Sequence, residues 1–257
     1  MLGVKPTVET DFAQWPGISG WPQFWEGLVC ALVPRIGYTG IVQLIDRSGN
    51  GCHGDVYGGA ISWSWKNRFG LGISLHGAGD GDQIKVPYRP LLNGKRTILM
   101  VWETSDGFSS ANGVNRTLWE HRDNAGEFPG ATCYLDQTNG KITMFDDPGA
   151  GGETLVQSIR TSWEDETYVT AFTADGTNMT MYVNGVYENS VAFATAFTDS
   201  TNVFRWGMNR QDLYGFVGRV AAMYIFTRAL SAIEVLRHYE HLLRTLTSSS
   251  QGMFTKL

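Results

Sequence analysis

The sequence predicts an all-β sandwich of two antiparallel sheets with one short C-terminal helix. Glycine is frequent, at 31 of 257 residues, while charged residues make up only 18% of the chain. This balance is typical of many tight turns and few solvated helices. Strand-like segments recur along the chain with Gly, Asn or Asp between them. Such spacing favours a sandwich or barrel over alternating strand–helix units.

The chain begins with an aromatic-rich segment, residues 1–25, that shows no regular period. Trp15, Trp21 and Trp25 stand among Pro and Gly residues, which block regular strand pairing. This composition predicts an extended arm whose Trp rings need a surface to cover them. The surface belongs either to the chain's own domain or to a neighbouring subunit, where the arm would serve assembly.

Apolar runs bounded by turn residues predict six strands outside the central hairpins. They cover residues 28–33, 71–76, 83–87, 96–103, 203–208 and 215–226.

Two Asn-Gly pairs predict two-residue hairpin turns, because Asn and Gly accept the positive φ of both turn positions. Asn139-Gly140 separates strand-like residues 132–138 from 141–145. Residues 168–174, 179–183 and the segment from 186 predict a three-stranded meander with turns at 175–176 and at Asn184-Gly185. Alternation puts Met179, Met181 and Val183 on one face and Thr180 and Tyr182 on the other.

A helix is predicted at Ser231, which forms a capping box with Glu234. Apolar residues from Ile233 to Leu246 then recur at helical spacing, and the polar run 247–252 is expected to end the helix. These boundaries predict three parts: an arm at 1–25, a β domain with its helix at 26–246, and a polar tail at 247–257.

Composition excludes several classes of partner. The net charge of −5 gives no basic footprint for nucleic acid or an anionic membrane. Cys30, Cys52 and Cys133 are sparse and odd in number, so we expect buried thiols rather than a disulfide framework. The N-terminal segment lacks the apolar core of a secretory signal, which predicts synthesis in a cytoplasm without Sec export.

Several segments together resemble the laminin-G-like domains of the concanavalin A-like lectin/glucanase superfamily. They are the meander around Asn184-Gly185, the closing strand and helix start at 216–234, the opening strand at 28–34 and the Gly-rich segments at 46–55 and 74–84. The resemblance covers about residues 26–241. It implies a concanavalin A-like jelly roll with variable loops along the rim of its concave sheet.

The resemblance directs attention to paired carboxylates, because glycoside-cleaving relatives use them. Glu164 and Glu166 form the densest acidic site, but they precede the central hairpin where a solvated loop is expected. The sequence also shows no convergent Tyr and His pair for a lyase. We therefore expect a protein that is not an enzyme.

The resemblance also makes rim calcium plausible, so calcium is the one cofactor candidate. Asp80 and Asp82 flank Gly81 and supply the oxygen ligands that calcium prefers. His76 stands where relatives more often carry Asp, and turn-forming Asp residues explain the pattern equally. His238 and His241 lie one helical turn apart, which suits zinc, but no third ligand is apparent and we expect them to face water.

Sugar binding is indicated by aromatic and polar residues in loop-like segments, because sugar rings stack on aromatic faces and their hydroxyls need polar partners. The alternative for each Trp is a place in the core. The candidates for carbohydrate binding are Trp63, Trp65, Trp119, Asn209, Arg210, Gln211, Asp212 and Tyr214.

Two functions remain open: a carbohydrate-binding or adhesive module, and a structural subunit of a surface assembly. A virion surface protein of the bacteriophage kind, such as a head decoration or tail component, reconciles a lectin-like rim with cytoplasmic synthesis. The expected partners are other virion or surface-assembly subunits and a cell-surface glycan, without nucleic acid or membrane insertion. The alternative location is extracellular, reached by a route other than Sec.

Overall fold

The computed structural model describes eleven segments of the chain. They are residues 25–36, 42–59, 62–67, 70–77, 81–86, 94–105, 107–122, 130–147, 152–164, 166–192 and 202–252. Trp15, Trp21 and Asp80 therefore lie outside the described residues.

The described residues form β-strands followed by one C-terminal α-helix. In chain order the elements are β1 Leu28–Ile36, β2 Val42–Asp46, β3 Asp55–Tyr57, β4 Ser62–Asn67, β5 Gly70–His76, β6 Gln83–Val86, β7 Arg96–Thr104, β8 Arg116–Arg122, β9 Gly130–Leu135, β10 Ile142–Asp147, β11 Thr154–Gln157, β12 Thr167–Ala174, β13 Asn178–Val183, β14 Val186–Ala192, β15 Phe204–Trp206, β16 Val217–Phe226 and α1 Ala232–Gly252.

The strands form two antiparallel sheets, which confirms the predicted fold class. One sheet has nine strands, in the order β14-β13-β12-β7-β16-β1-β2, with β5 also paired to β16 and β4 paired to β5. The other has seven strands, in the order β11-β10-β9-β8-β15-β6-β3. Neighbours that are distant in sequence, such as β1 and β16, bring the two ends of the domain together.

The main hydrophobic core lies between the two sheets. Met179, Met181 and Val183 of β13 all enter it, as the alternation predicts, and Tyr182 belongs to a second apolar cluster on the opposite face. Alternate side chains of one strand point to opposite faces of a sheet, so each inner strand of the nine-stranded sheet contributes to both clusters.

Helix α1 packs on the outer face of the nine-stranded sheet. Val235 and Leu242 of the helix are buried there with Tyr224 and Phe226 of β16. The capping box is confirmed, because the Ser231 backbone N–H donates to the Glu234 carboxylate at 2.8 Å. Helix α1 accordingly covers the nine-stranded sheet and not the seven-stranded one.

The predicted end of the helix is wrong. Helix α1 continues to Gly252 and includes the polar run 247–252, which the sequence analysis placed in the tail. Ser and Thr have lower helix propensity than Ala or Leu, but they do not block the helical backbone as proline does. Among the described residues, no helix is long and apolar enough to cross a membrane.

The two Asn-Gly pairs behave differently. Asn184 and Gly185 have φ of 52° and 78° and form the predicted two-residue turn between β13 and β14. The prediction at Asn139-Gly140 is wrong, because Leu135 pairs with Ile142 and the Asp136 N–H donates to the Lys141 carbonyl. That hairpin has a four-residue loop, residues 137–140.

Candidate functional site

The outer face of the seven-stranded sheet carries charged side chains. Phe204 and Trp206 of β15 are in the core, so Arg205 between them points to the outer face. Arg205 lies opposite Glu120 of β8 on one side and opposite Lys85 of β6 on the other. These three residues therefore share one face.

A short loop after β15, residues 209–214, folds back over this face. Glu120 accepts a hydrogen bond from the Arg210 backbone N–H, and its Oε2 lies 3.5 Å from Arg210 Nη1. Arg205 Nη1 donates to the Asn209 carbonyl at 3.2 Å and to Asp212 Oδ1 at 3.2 Å. Two charged side chains of the sheet therefore hold the 209–214 loop in place.

The loop also stabilises its own backbone. Asn209 Oδ1 accepts hydrogen bonds from the N–H groups of Gln211 at 3.2 Å and Leu213 at 2.9 Å. Asp212 adopts a φ of 56°, and its Oδ1 also accepts from Gln83 Nε2 at 3.1 Å. A left-handed Asp is uncommon but tolerated when its side chain is bonded. The loop conformation is thus fixed by the protein itself.

Aromatic rings and polar groups face solvent at this site. Tyr214 of the loop is 41% exposed, and the Asp212 side chain is 56% exposed. Tyr57 of β3 is 45% exposed, lies opposite Gln83 in the sheet register and stacks with the Lys85 ammonium 4.5 Å from its ring centre. An accessible ring beside fixed polar groups is what sugar recognition needs.

A second charged pair continues the face towards β10. Arg122 Nη2 lies 2.7 Å from Asp147 Oδ2, and its guanidinium is 4.8 Å from the centre of the Phe145 ring. Burial and then the positive charge of Arg210 lower the pKa of Arg122. Burial also raises the pKa of the neighbouring Tyr134 to about 12. These groups form a connected polar surface from β10 to β3.

The carboxylate of Glu120 acts as an anchor in this geometry. Its Oε1 accepts from the Arg210 backbone and its Oε2 from Thr132 Oγ1 at 2.9 Å. Glu120 is only 3% exposed. A general acid or base needs an oxygen within reach of substrate, whereas both oxygens here already bind the protein.

Four predicted sugar-site residues are brought together by the structure: Asn209, Arg210, Asp212 and Tyr214 all belong to the 209–214 loop. Sequence reasoning missed Glu120, Arg205, Gln83 and Tyr57. The available signal was Arg205 between two aromatic residues of β15, since a charged residue alternating with core residues must lie on the outer face.

Trp119 requires a correction. Its side chain is fully buried between the sheets, where it stacks on Phe204 at 5.6 Å and meets Phe172 edge-on. The ring is a core residue and is not available to a sugar. Trp63 and Trp65 lie in β4, and the placement of their side chains is outside what the structure describes.

The calcium prediction concerns one described residue, Asp82, which is fully buried. Its Oδ2 accepts from the His76 backbone N–H at 3.0 Å and contacts His76 Nδ1 at 2.9 Å. Within the described residues, no three His, Cys, Asp or Glu side chains form a group that could hold a metal ion. Calcium binding at Asp80 and Asp82 stays a prediction.

The other titratable candidates divide clearly. Glu164 and Glu166 are exposed just before β12, as expected for a solvated loop. The expectation that the helix histidines face water is wrong for His238, which is 2% exposed. His238 and His241 both meet the Trp25 ring edge-on, at 5.3 Å and 5.8 Å. Trp25 is therefore covered by the chain's own domain.

Solved structures with the same fold include binding domains of bacterial toxins. The binding domain of Paraclostridial Mosquitocidal Protein 1 aligns with a TM-score of 0.66 and 17% identity, covering 84% of this chain and 52% of that one. A structure reported with the dependence of botulinum neurotoxin type C cell entry on two ganglioside molecules aligns with a TM-score of 0.64 and 13% identity, covering 86% and 53%. This chain spans about half the length of those domains.

Domain 4 of AbnA, an extracellular arabinanase from Geobacillus stearothermophilus solved in complex with arabinotriose, matches more completely. It aligns with a TM-score of 0.59 and 17% identity, covering 82% of this chain and 97% of that domain. At such identities these likenesses concern the fold. No curated protein matches the sequence.

The family model for the concanavalin A-like lectin/glucanases superfamily matches residues 78–236, which is more than half of the 257-residue chain. The matched region runs from the segment before β6 into helix α1 and so includes the whole 209–214 loop. The chain belongs to the concanavalin A-like lectin/glucanase superfamily.

Proposed function

We propose that this protein is a non-catalytic glycan-binding module and that the 209–214 loop makes the central contact with the sugar. The observation that carries the proposal is an exposed Tyr214 and Asp212 on a loop whose backbone is held by buried Glu120 and Arg205. Loops positioned by a rigid scaffold are frequent binding sites. Arabinotriose in the arabinanase domain and gangliosides in the neurotoxin study support a glycan as the ligand class.

Rigidity of the loop favours binding for a physical reason. Ordering a flexible loop on association costs free energy that is subtracted from the contact energy. Here Asn209, Arg205 and Gln83 supply that order in the unbound protein. Tyr214 and Tyr57 then offer rings, while the Asp212 carboxylate and the Lys85 ammonium offer hydrogen bonds to hydroxyl groups.

A glycan array followed by calorimetry tests the proposal. The wild type should bind a defined set of glycans, and Tyr214→Ala should weaken the best of them about tenfold, or about 1.4 kcal/mol. Tyr187→Ala is the matched control, because Tyr187 is 56% exposed but lies on β14 of the other sheet. Absence of any glycan binding, or equal weakening by both substitutions, would refute the proposed site.

We infer further that the module acts on the surface of a virion, assembled in the host cytoplasm with other virion subunits. The support is compositional: residues 1–24 carry two Trp residues between Pro and Gly, a pattern suited to an arm that docks on another surface. Trp25, at the base of that segment, already packs on the module. Co-sedimentation of the full chain, but not of a chain lacking 1–24, with particles tests this role.

A further inference from the structure

Two cysteine side chains meet beneath the opening strand. Cys30 of β1 and Cys52, in the segment after β2, are both fully buried in the core between the sheets. Cys30 Sγ lies 3.9 Å from the Cys52 carbonyl oxygen, and Cys52 Sγ lies 3.2 Å from the carbonyl oxygen of Val29. Each thiol therefore contacts the backbone that carries the other.

The carboxylate of Asp46 fixes this arrangement. Its Oδ1 accepts a hydrogen bond from the Ala31 N–H at 2.9 Å, and its Oδ2 accepts one from the Cys52 N–H at 2.9 Å. One carboxylate thus binds the residue after Cys30 and Cys52 itself. Ser48 Oγ also donates to the Val29 carbonyl at 3.0 Å, which holds the connecting segment 47–51 against β1.

The environment of the pair differs from that of the third cysteine. The pKa of Cys30 is raised well above its ordinary value, first by a hydrogen bond with the Cys52 side chain and then by burial. Burial alone raises the pKa of Cys133, which lies on β9 in the other sheet. Because the thiolate is the reactive form, both environments keep the thiols reduced until an oxidant reaches them.

We propose that Cys30 and Cys52 form an intramolecular disulfide when the protein enters an oxidising environment, which locks segment 47–51 onto β1. With a small disulfide oxidant such as oxidised glutathione, one protein thiolate attacks an oxidant sulfur and releases one glutathione thiolate. The second protein thiolate attacks the mixed disulfide and releases the other. The protein loses two electrons and two protons, and the oxidant becomes two glutathione thiols.

The bond would stabilise the fold by closing the chain between positions 22 residues apart. Such a loop restricts the unfolded chain, so the oxidised protein should melt several degrees above the reduced one. A protein made in a reducing cytoplasm would acquire this bond only after release, since reducing compartments keep thiols reduced. The inference does not depend on glycan binding.

The test uses the full chain, purified with reductant and then treated with oxidised glutathione. Intact mass should fall by two hydrogen atoms, and non-reducing trypsin digestion should give residues 1–35 linked to residues 48–66. Cys133→Ser is the matched control and should still form this link with the raised melting temperature. Cys52→Ala and Cys30→Ala should each lose both, while any residual glutathione adduct marks the remaining thiol.

Wild-type protein needs no substitution to decide the question. A folded wild type that gains no linked peptide, even in mild denaturant that opens segment 47–51, would overturn the proposal. A link through Cys133, or between two chains, would overturn it as well.

Discussion

Substitution of Gly185 by alanine tests how the central hairpin meets helix α1. Gly185 has a φ of 78°, and a Cβ there would lie 2.9 Å from Leu236 Cδ1, 3.2 Å from Leu236 Cα and 3.2 Å from Tyr239 Cδ1. The first contact involves the end of a flexible side chain, which a rotamer change can relieve. The second involves the helix backbone, so the helix must move away from the turn.

The expected magnitude combines two costs. A left-handed conformation costs an L-residue about 1–2 kcal/mol, and overpacking typically adds about 1–3 kcal/mol. Gly185→Ala should therefore lower the free energy of unfolding by about 2–5 kcal/mol. Gly176→Ala is the matched control, because Gly176 has a φ of 92° with no atom within 4 Å of an added Cβ. It should show only the first cost.

Urea denaturation of both variants measures the difference directly. Combining Gly185→Ala with Leu236→Ala should cost less than the sum of the single substitutions, because the smaller side chain gives the helix room to settle. Equal losses for Gly185→Ala and Gly176→Ala, or strict additivity with Leu236→Ala, would show that helix α1 does not rest on this turn.

Three further predictions concern charge and the chain termini. Burial raises the pKa of Asp146 to about 7, above its ordinary 3.8, so its contribution to stability is full below pH 3.8 and is lost as the pH rises to about 7; Asp146→Asn should therefore gain stability relative to wild type over that range, and a constant difference in thermal melts would contradict this. Deleting 1–24 should leave the melting temperature unchanged, whereas deleting 1–25 removes the Trp25 contacts with Tyr224 and His238 and should lower it. Glu164→Gln should not alter unfolding or glycan binding by more than about 0.5 kcal/mol, because an exposed carboxylate contributes little; a loss of depolymerising activity would instead indicate an enzyme.

Local rules predicted the elements that local chemistry determines. Asn184-Gly185 forms its two-residue turn because the strands on both sides are apolar and alternate in step. Asn139-Gly140 does not, because the Asp136 side chain accepts hydrogen bonds from the Thr138 backbone at 2.8 Å and hydroxyl at 2.6 Å, which stabilises a longer loop. An Asx motif of this kind competes with the tighter turn.

The site was only partly predictable for a different reason. The residues of the 209–214 loop are visible in sequence as a polar cluster, but their anchors, such as Glu120 and Gln83, are distant along the chain. Only the pairing of β15 with β8 and β6 brings them together. The same limit misplaced Trp119, since its exposure depends on the face of β8 that its strand neighbours select.

The way the 209–214 loop is anchored bears on how a binding surface can vary while the fold persists. The loop is attached through side chains, with Arg205 and Glu120 holding Asp212 and Arg210. Breaking a buried charge pair by removing one partner is strongly destabilising, so these anchors are costly to change. Gln211, Leu213 and Tyr214 project from the same loop into solvent. Substitutions there alter what the loop presents without disturbing what holds it, which separates ligand choice from stability within six residues.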